Sequence, residues 1–163
     1  FYGPALAKLH LDFVHVCRSG KADGEGVWFD RRRWFCRASR AVHFAELEHI
    51  AAAEGRPNSA DYATPNVAQM VLLEALQPTA AEPPLLLVVS SHLWWKPSDG
   101  WLRAAQARYL LQNIERFVRE HEARDAPWIL AGDFNSLPSS KVYAFLRGRG
   151  LHSAYAHYPH DAQ

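Results

Sequence analysis

The stretch Trp128-Ile129-Leu130-Ala131-Gly132-Asp133-Phe134-Asn135-Ser136 decides the fold of this 163-residue chain. Its first four residues are apolar and predict a short buried strand. A carboxylate and a carboxamide follow that strand two residues apart, so both side chains can point into one site. Asp133 can bind a hard cation or accept a proton from water, and Asn135 can donate a hydrogen bond to a phosphoryl oxygen. An Asx turn that merely ends the strand is an equally good interpretation.

A second polar cluster, Ser90-Ser91-His92, ends another apolar run that begins at Leu85 and predicts a strand. Taken alone, His92 is better explained as a hydrogen-bonded structural residue, since imidazole serves packing and capping as well as catalysis. Sites form where strands end, however, so His92, Asp133 and Asn135 can meet at one edge of one sheet. That meeting favours a catalytic interpretation of all three.

Six residues between the two polar clusters are candidates for binding or support, and each has a structural alternative. Trp94, Trp95 and Trp101 can stack a nucleobase, although core packing is the better interpretation for at least one of them. Lys96 can meet a phosphate, although a surface lysine needs no function. Arg103 and Gln106 lie one helical turn apart and can support the site or bridge neighbouring loops. The predicted substrate contacts are Asn135, Trp94 and Lys96, and the predicted supporting residues are Arg103 and Gln106.

Strand and helix patterns are mixed along the chain, which predicts an α/β class. No internal repeat or long linker occurs, and the Ala/Pro-rich tract 78–84 is short enough for a loop, so residues 1–163 are expected to form a single domain. The predicted elements are a hairpin of strands at 11–16 and 27–29, a helix within 44–54, strands at 67–76 and 85–91, an amphipathic helix at 101–120, a strand at 128–131, a helix at 139–147 and an extended piece from Leu151.

Charge and cysteine content narrow the partners and the compartment. The formal charge is only +1, so a polyanion must be held locally rather than by a global field. No apolar stretch approaches the roughly 20 residues that span a bilayer, so no membrane is expected as a partner. Cys17 and Cys36 fit neither a zinc site nor a disulfide framework, which favours a reducing, intracellular compartment, with cytoplasm, nucleus and mitochondrion left open.

Several blocks together resemble the endonuclease/exonuclease/phosphatase family. They are Ser91-His92-Leu93-Trp94-Trp95-Lys96-Pro97, then Gly100, Arg103 and Gln106, then Gly132-Asp133-Phe134-Asn135-Ser136-Leu137-Pro138. The turn Ser19-Gly20-Lys21-Ala22-Asp23-Gly24 resembles one in the deadenylase-like branch, which includes carbon-catabolite-repressor-type deadenylases, Angel proteins, nocturnin and 2′,5′-phosphodiesterases. Each motif alone is weak, but the combination is specific.

The resemblance implies part of a two-sheet α/β sandwich and a Mg²⁺-dependent phosphodiester hydrolase, a deadenylase-like 3′-5′ exoribonuclease acting on RNA 3′ ends such as poly(A) or short oligoadenylate. It implies that Asp133 orients or deprotonates the attacking water and contacts the metal, directly or through water. It also implies that Asn135 contacts the scissile phosphate and that His92 stabilises the developing charge. Two alternatives stay open: a phosphatase or phosphodiesterase for a small nucleotide or dinucleotide cofactor, and a noncatalytic RNA-binding or interaction module.

The sequence departs from the family pattern at both ends. The family's principal Mg²⁺ ligand is a Glu on an early strand, and its last motif is an Asp-His pair on a late strand; neither is in the chain. We therefore expect a partial domain without the first and last strands, and an isolated chain that is inactive. Asp23, Glu25 and Asp30 flank turn and strand positions and are not assigned to a metal.

Overall fold

The computed structural model describes residues 3–78 and 83–157. Strands and helices are interspersed along these residues, which also contain three short 3-10 helices at Ser59–Tyr62, Pro97–Asp99 and Ala154–His157. The strands are β1 Leu11–Cys17, β2 Gly24–Asp30, β3 Trp34–His43, β4 Val67–Ala75, β5 Leu85–His92 and β6 Trp128–Asp133. The helices are α1 Gly3–Lys8, α2 Glu46–Ala53, α3 Gly100–Glu120 and α4 Lys141–Gly148.

The strands form two sheets, which confirms the predicted class. One sheet has four strands in the order β3-β4-β5-β6, and the other is the antiparallel hairpin β1-β2. The β5 and β6 strands are parallel neighbours, whereas the other pairs of the larger sheet are antiparallel. Because parallel strands need a crossover, α3 lies between them in sequence and returns the chain to the same end of the sheet.

Two apolar layers hold the larger sheet. On one face, α3 buries Leu110, Ile114 and Phe117 in a core that also contains Phe44 of the segment before α2. On the other face, Val27 and Phe29 of the hairpin pack against β4. The larger sheet therefore lies between helices and a second sheet, as expected for a two-sheet α/β sandwich.

Element boundaries agree with the predictions to within a few residues, with three differences. The α1 helix and the β3 strand, Trp34–His43, were not predicted. Leu151 does not begin a strand, because its amide donates to the carbonyl of Leu146 at 3.2 Å and Gly150 has a φ of 87°, so the segment closes the end of α4. Residues 79–82 of the predicted loop lie outside the described residues. Within the described part, no helix is long and apolar enough to cross a membrane.

Candidate active site

The two predicted polar clusters lie side by side at the carboxyl ends of β5 and β6. His92 pairs with Asp133 in the parallel register, and the imidazole Nε2 is 3.8 Å from Asp133 Oδ2. Both side chains are open to solvent, at 40% and 63% exposure. The separation exceeds a direct hydrogen bond, so the two groups face a common space that a water or a phosphate oxygen can enter.

Gly132 allows this close approach of the two strand ends. Its φ is 128°, and a Cβ at this position would lie 2.0 Å from the backbone oxygen of Ser91 on β5. Any other residue would push the strands apart just before the His92–Asp133 pair. The glycine that precedes the carboxylate is thus a geometric requirement of the site.

The Asx turn considered from the sequence is present, and it does not exclude a site. Asp133 Oδ1 accepts a hydrogen bond from the Asn135 backbone N–H at 2.8 Å, and Asn135 has a φ of 45°, which asparagine tolerates. The turn uses one carboxylate oxygen and fixes the side chain. The other oxygen, Oδ2, faces His92.

Side-chain amides hold the segment that follows β5. Asn66, which is 3% exposed, donates through Nδ2 to the carbonyl of His92 at 2.8 Å, and Asn135 Nδ2 donates to the carbonyl of Leu93 at 3.0 Å. Gln106, fully buried in α3, accepts from the Trp94 amide at 2.8 Å. Two consecutive peptide groups therefore have fixed orientations directly after His92. Asn66 was not predicted from the sequence, since a single Asn before a strand carries no distinct signal.

The loop at residues 94–97 surrounds the guanidinium of Arg103. This guanidinium donates to the carbonyls of Trp94, Lys96 and Pro97 at 3.4, 2.5 and 3.0 Å. Trp94 is half-buried, and its indole N–H donates to Asp99 at 2.9 Å. Hydrogen bonds from Ser98 and Trp94 hold the pKa of Asp99 below its ordinary value.

Lys96 Nζ lies 3.8 Å from Asp99 Oδ2 while its side chain is 54% exposed. The ammonium therefore keeps access to solvent and to an anionic ligand.

The hairpin adds a carboxylate that sequence reasoning left unassigned. Ser90 donates to Glu25 Oε2 at 2.5 Å, and Ser90 lies two residues before His92, on the same face of β5. By contrast, Asp23 pairs with Arg18 and Asp30 pairs with Arg32, so both serve local structure. Only the packing of the two sheets brings Glu25 toward the site.

The site offers a metal ion one carboxylate oxygen that the Asx turn does not use, Asp133 Oδ2. No group of three or more His, Cys, Asp or Glu side chains that could hold a metal ion occurs among residues 3–78 and 83–157. Mg²⁺ prefers oxygen ligands and is commonly held by one or two carboxylates while it keeps several waters. Asp133 Oδ2 fits as one such ligand, with direct or water-mediated contact.

Residues 17–162 match the model of the Endonuclease/Exonuclease/phosphatase family. The chain belongs to this family. Among its curated relatives, angel homolog 2 of Danio rerio is 35% identical over 151 residues, which cover 91% of this chain and 24% of the relative. Angel homolog 2 of Homo sapiens is 28% identical over 145 residues, 88% of this chain and 25% of the relative. Carbon catabolite repressor protein 4 homolog 4 of Arabidopsis thaliana is 35% identical over 65 residues, which cover 38% of this chain and 16% of the relative.

Solved structures of the family share the fold of this chain. The human nocturnin catalytic domain with bound sulfate superposes with a TM-score of 0.74 at 22% identity and shows the shared fold. The superposition covers 94% of this chain and 54% of the nocturnin catalytic-domain chain. ANGEL2, a 2′,3′-cyclic phosphatase in complex with adenosine-2′,3′-vanadate, superposes with a TM-score of 0.73 at 26% identity. The superposition covers 90% of this chain and 40% of the ANGEL2 chain. These relatives confirm the deadenylase-like branch of the family. The chain spans about a quarter of the curated relatives and about half or less of the structures.

Proposed function

We propose that this chain forms part of a magnesium-dependent phosphodiester hydrolase that acts on RNA 3′ ends as a deadenylase-like 3′-5′ exoribonuclease. The observation that carries the proposal is the pair of Asp133 Oδ2 and His92 Nε2, 3.8 Å apart at the ends of two parallel strands, with Asn135 fixed beside them. A carboxylate, an imidazole and a carboxamide in one open site can serve phosphodiester hydrolysis as a base, a charge-stabilising donor and a phosphate contact. Poly(A) or a short oligoadenylate is the proposed substrate.

Each side chain has a role that its geometry permits. Asp133 orients the attacking water and accepts its proton, since the Asx turn leaves Oδ2 directed at the site. Asn135 uses one amide hydrogen on Leu93, and its second amide hydrogen donates to a nonbridging phosphoryl oxygen. His92 donates to the oxygen on which charge develops.

Substrate contacts beyond the reacting phosphate come from the loop that follows His92. Trp94 and Lys96 are the proposed contacts there, and Arg103 and Gln106 position the loop through the hydrogen bonds described above.

Asp133 would hold Mg²⁺, with the ion supplying charge neutralisation at the phosphoryl oxygens and a more acidic bound water. Because the described residues include no group of three or more His, Cys, Asp or Glu side chains that could hold this ion, we propose that the 163-residue chain by itself hydrolyses little or nothing. An intracellular location is part of the proposal and is supported by the two unpaired thiols, Cys17 and Cys36.

A second candidate is a phosphatase or phosphodiesterase for small nucleotides or a dinucleotide cofactor. It is supported by the likeness to ANGEL2, a 2′,3′-cyclic phosphatase. The same three side chains would serve this reaction, because the bond that breaks is again a phosphoester. The near-neutral charge of the chain also suits a small ligand held by a local site.

The decisive experiment uses the full-length protein, with Mg²⁺ or with EDTA, on a 3′-hydroxyl oligoadenylate and on adenosine 2′,3′-cyclic phosphate. Asp133→Asn keeps an oxygen for the Asn135 turn and removes the charge, so we expect a loss of activity of at least about 100-fold with an unchanged fold. Asp30→Asn is the matched control, because that carboxylate only pairs with Arg32, and it should retain full activity.

The outcomes separate the candidates. Stepwise removal of adenylates that Asp133→Asn abolishes supports the exoribonuclease, whereas opening of the cyclic phosphate alone supports the second candidate. If the wild-type protein and Asp133→Asn bind oligoadenylate equally and cleave nothing under any condition, both enzyme candidates are rejected in favour of a noncatalytic RNA-binding module. Robust Mg²⁺-dependent cleavage by the 163-residue chain would refute the proposal that it is inactive alone.

A further inference from the structure

Trp95 stands out among the six tryptophans of the chain, all of which the structure describes. It is 62% exposed, compared with 48% for Trp28 and Trp101, while the adjacent Trp94 is half-buried. Scattered apolar residues on a surface are ordinary. An indole, however, is the largest apolar side chain, and this one lies three residues after His92, in the loop that extends from the site.

The backbone on both sides of Trp95 is fixed. Arg103 donates to the carbonyls of Trp94 and Lys96, the residues that flank Trp95, and to the next carbonyl at Pro97. The amide of Trp94 is held by buried Gln106. An aromatic ring on such a backbone loses little conformational freedom when a ligand binds, since few torsions have to be ordered.

A second indole lies beside the ring of Trp95. The Trp94 and Trp95 rings are 6.0 Å apart and inclined at 46°, and Trp94 is anchored by its hydrogen bond to Asp99. The two rings are therefore neighbours in this loop, and the large exposed surface of Trp95 is available to a flat ligand. Nucleobases are flat, and every base has a face that stacks on an aromatic ring.

We propose that Trp95 stacks a nucleobase of the substrate and selects substrates that carry a base next to the phosphoester over base-free phosphoesters. This inference rests on the proposed function and adds the chemical group that the site recognises. The adjacent Lys96, exposed and directed partly at solvent, supplies positive charge next to the stacked nucleotide. A purine offers a larger face than a pyrimidine and is preferred.

The test compares two substrates in the full-length protein: a short oligoadenylate, and the same oligomer with an abasic 3′-terminal nucleotide. Trp95→Ala is expected to raise KM for the oligoadenylate by about 5- to 150-fold, which is the usual range for loss of one base-stacking contact. Trp95→Phe, which keeps a ring, should restore most of the affinity. Neither variant should change the KM for the abasic oligomer by more than about 2-fold.

Trp101→Ala is the matched control. Trp101 is also exposed, but its ring packs edge-on against Tyr62 with centroids 4.9 Å apart, so its loss should leave the KM for both substrates unchanged. The inference is overturned if Trp95→Ala affects both substrates equally or neither. It is also overturned if acrylamide quenching shows that Trp95 is shielded from solvent in the full-length protein.

Binding separates failure of this inference from failure of the proposed function. If the wild-type protein hydrolyses neither substrate, the enzyme proposal fails. Oligoadenylate should still quench tryptophan fluorescence in the wild-type protein and not in Trp95→Ala. If hydrolysis occurs and Trp95→Ala leaves it unchanged, the stacking inference alone fails.

Discussion

Replacing Gly132 with alanine tests whether the site depends on the close approach of β5 and β6. The substitution forces a Cβ to within 2.0 Å of the Ser91 carbonyl oxygen and holds a side-chain-bearing residue at a φ of 128°. The backbone strain costs about 1–3 kcal/mol. Pushing the strands apart adds about 1–3 kcal/mol of overpacking and the loss of about one ladder hydrogen bond. The sum is about 5 kcal/mol, which lowers Tm by roughly 10–20 °C in a domain of this size.

Gly20 provides the control that isolates the steric effect. Its φ is 68°, and a Cβ there would have no neighbour within 4 Å, so Gly20→Ala carries only the conformational cost of about 1–2 kcal/mol. The two variants would be unfolded in urea with tryptophan fluorescence as the probe, and their free energies of unfolding compared. A Gly132→Ala variant within about 1 kcal/mol of Gly20→Ala would refute the steric argument. If Gly132→Ala shows the larger loss of stability, it should also lose hydrolysis, because His92 and Asp133 would move apart.

Two further predictions concern α3. Gln106→Leu leaves the Trp94 amide and the Thr64 hydroxyl without their buried partner, so we expect a loss of about 3 kcal/mol in urea unfolding; an unchanged stability would contradict the assigned hydrogen bonds. Burial, together with a hydrogen bond to Glu46, raises the pKa of Tyr109 to about 12 from an ordinary value of 10.0. The neutral phenol is thus favoured in the folded state, and its stabilisation, complete below pH 10, is lost as the pH rises through about 12. Unfolding free energies between pH 9 and 12 should fall less in Tyr109→Phe; an equal fall would show that another group titrates.

Local patterns predicted most of the elements because their signals lie within a few residues. The α3 helix follows from apolar residues at helical spacing, which is also the face that α3 buries. The hairpin follows from two extended runs around a turn. Local patterns did not predict α1, which buries no described residue and has few apolar signals. They also did not predict the β3 strand or the loop that closes α4 after Gly150.

The site was predictable in part. Asp133 and Asn135 lie two residues apart, and His92 ends a strand, so their meeting follows once the two strands are parallel neighbours. Asn66 and Glu25 were not predictable, because each reaches the site across the fold. Asn66 contacts His92 over 26 positions and Glu25 contacts Ser90 over 65. No single-sequence pattern encodes contacts at such separations.

The sequence by itself determined the family, the α/β class and the three polar residues proposed for catalysis, because these depend on short motifs and on periodicity. Only the tertiary structure decided how those residues act together. It placed Asp133 Oδ2 3.8 Å from His92 and committed Asp133 Oδ1 to the Asx turn. It also left Trp95 exposed beside a half-buried Trp94 that is hydrogen-bonded to Asp99. The physical reason is that side-chain exposure and partner choice depend on packing between distant segments, whereas strand and helix propensities act between neighbours.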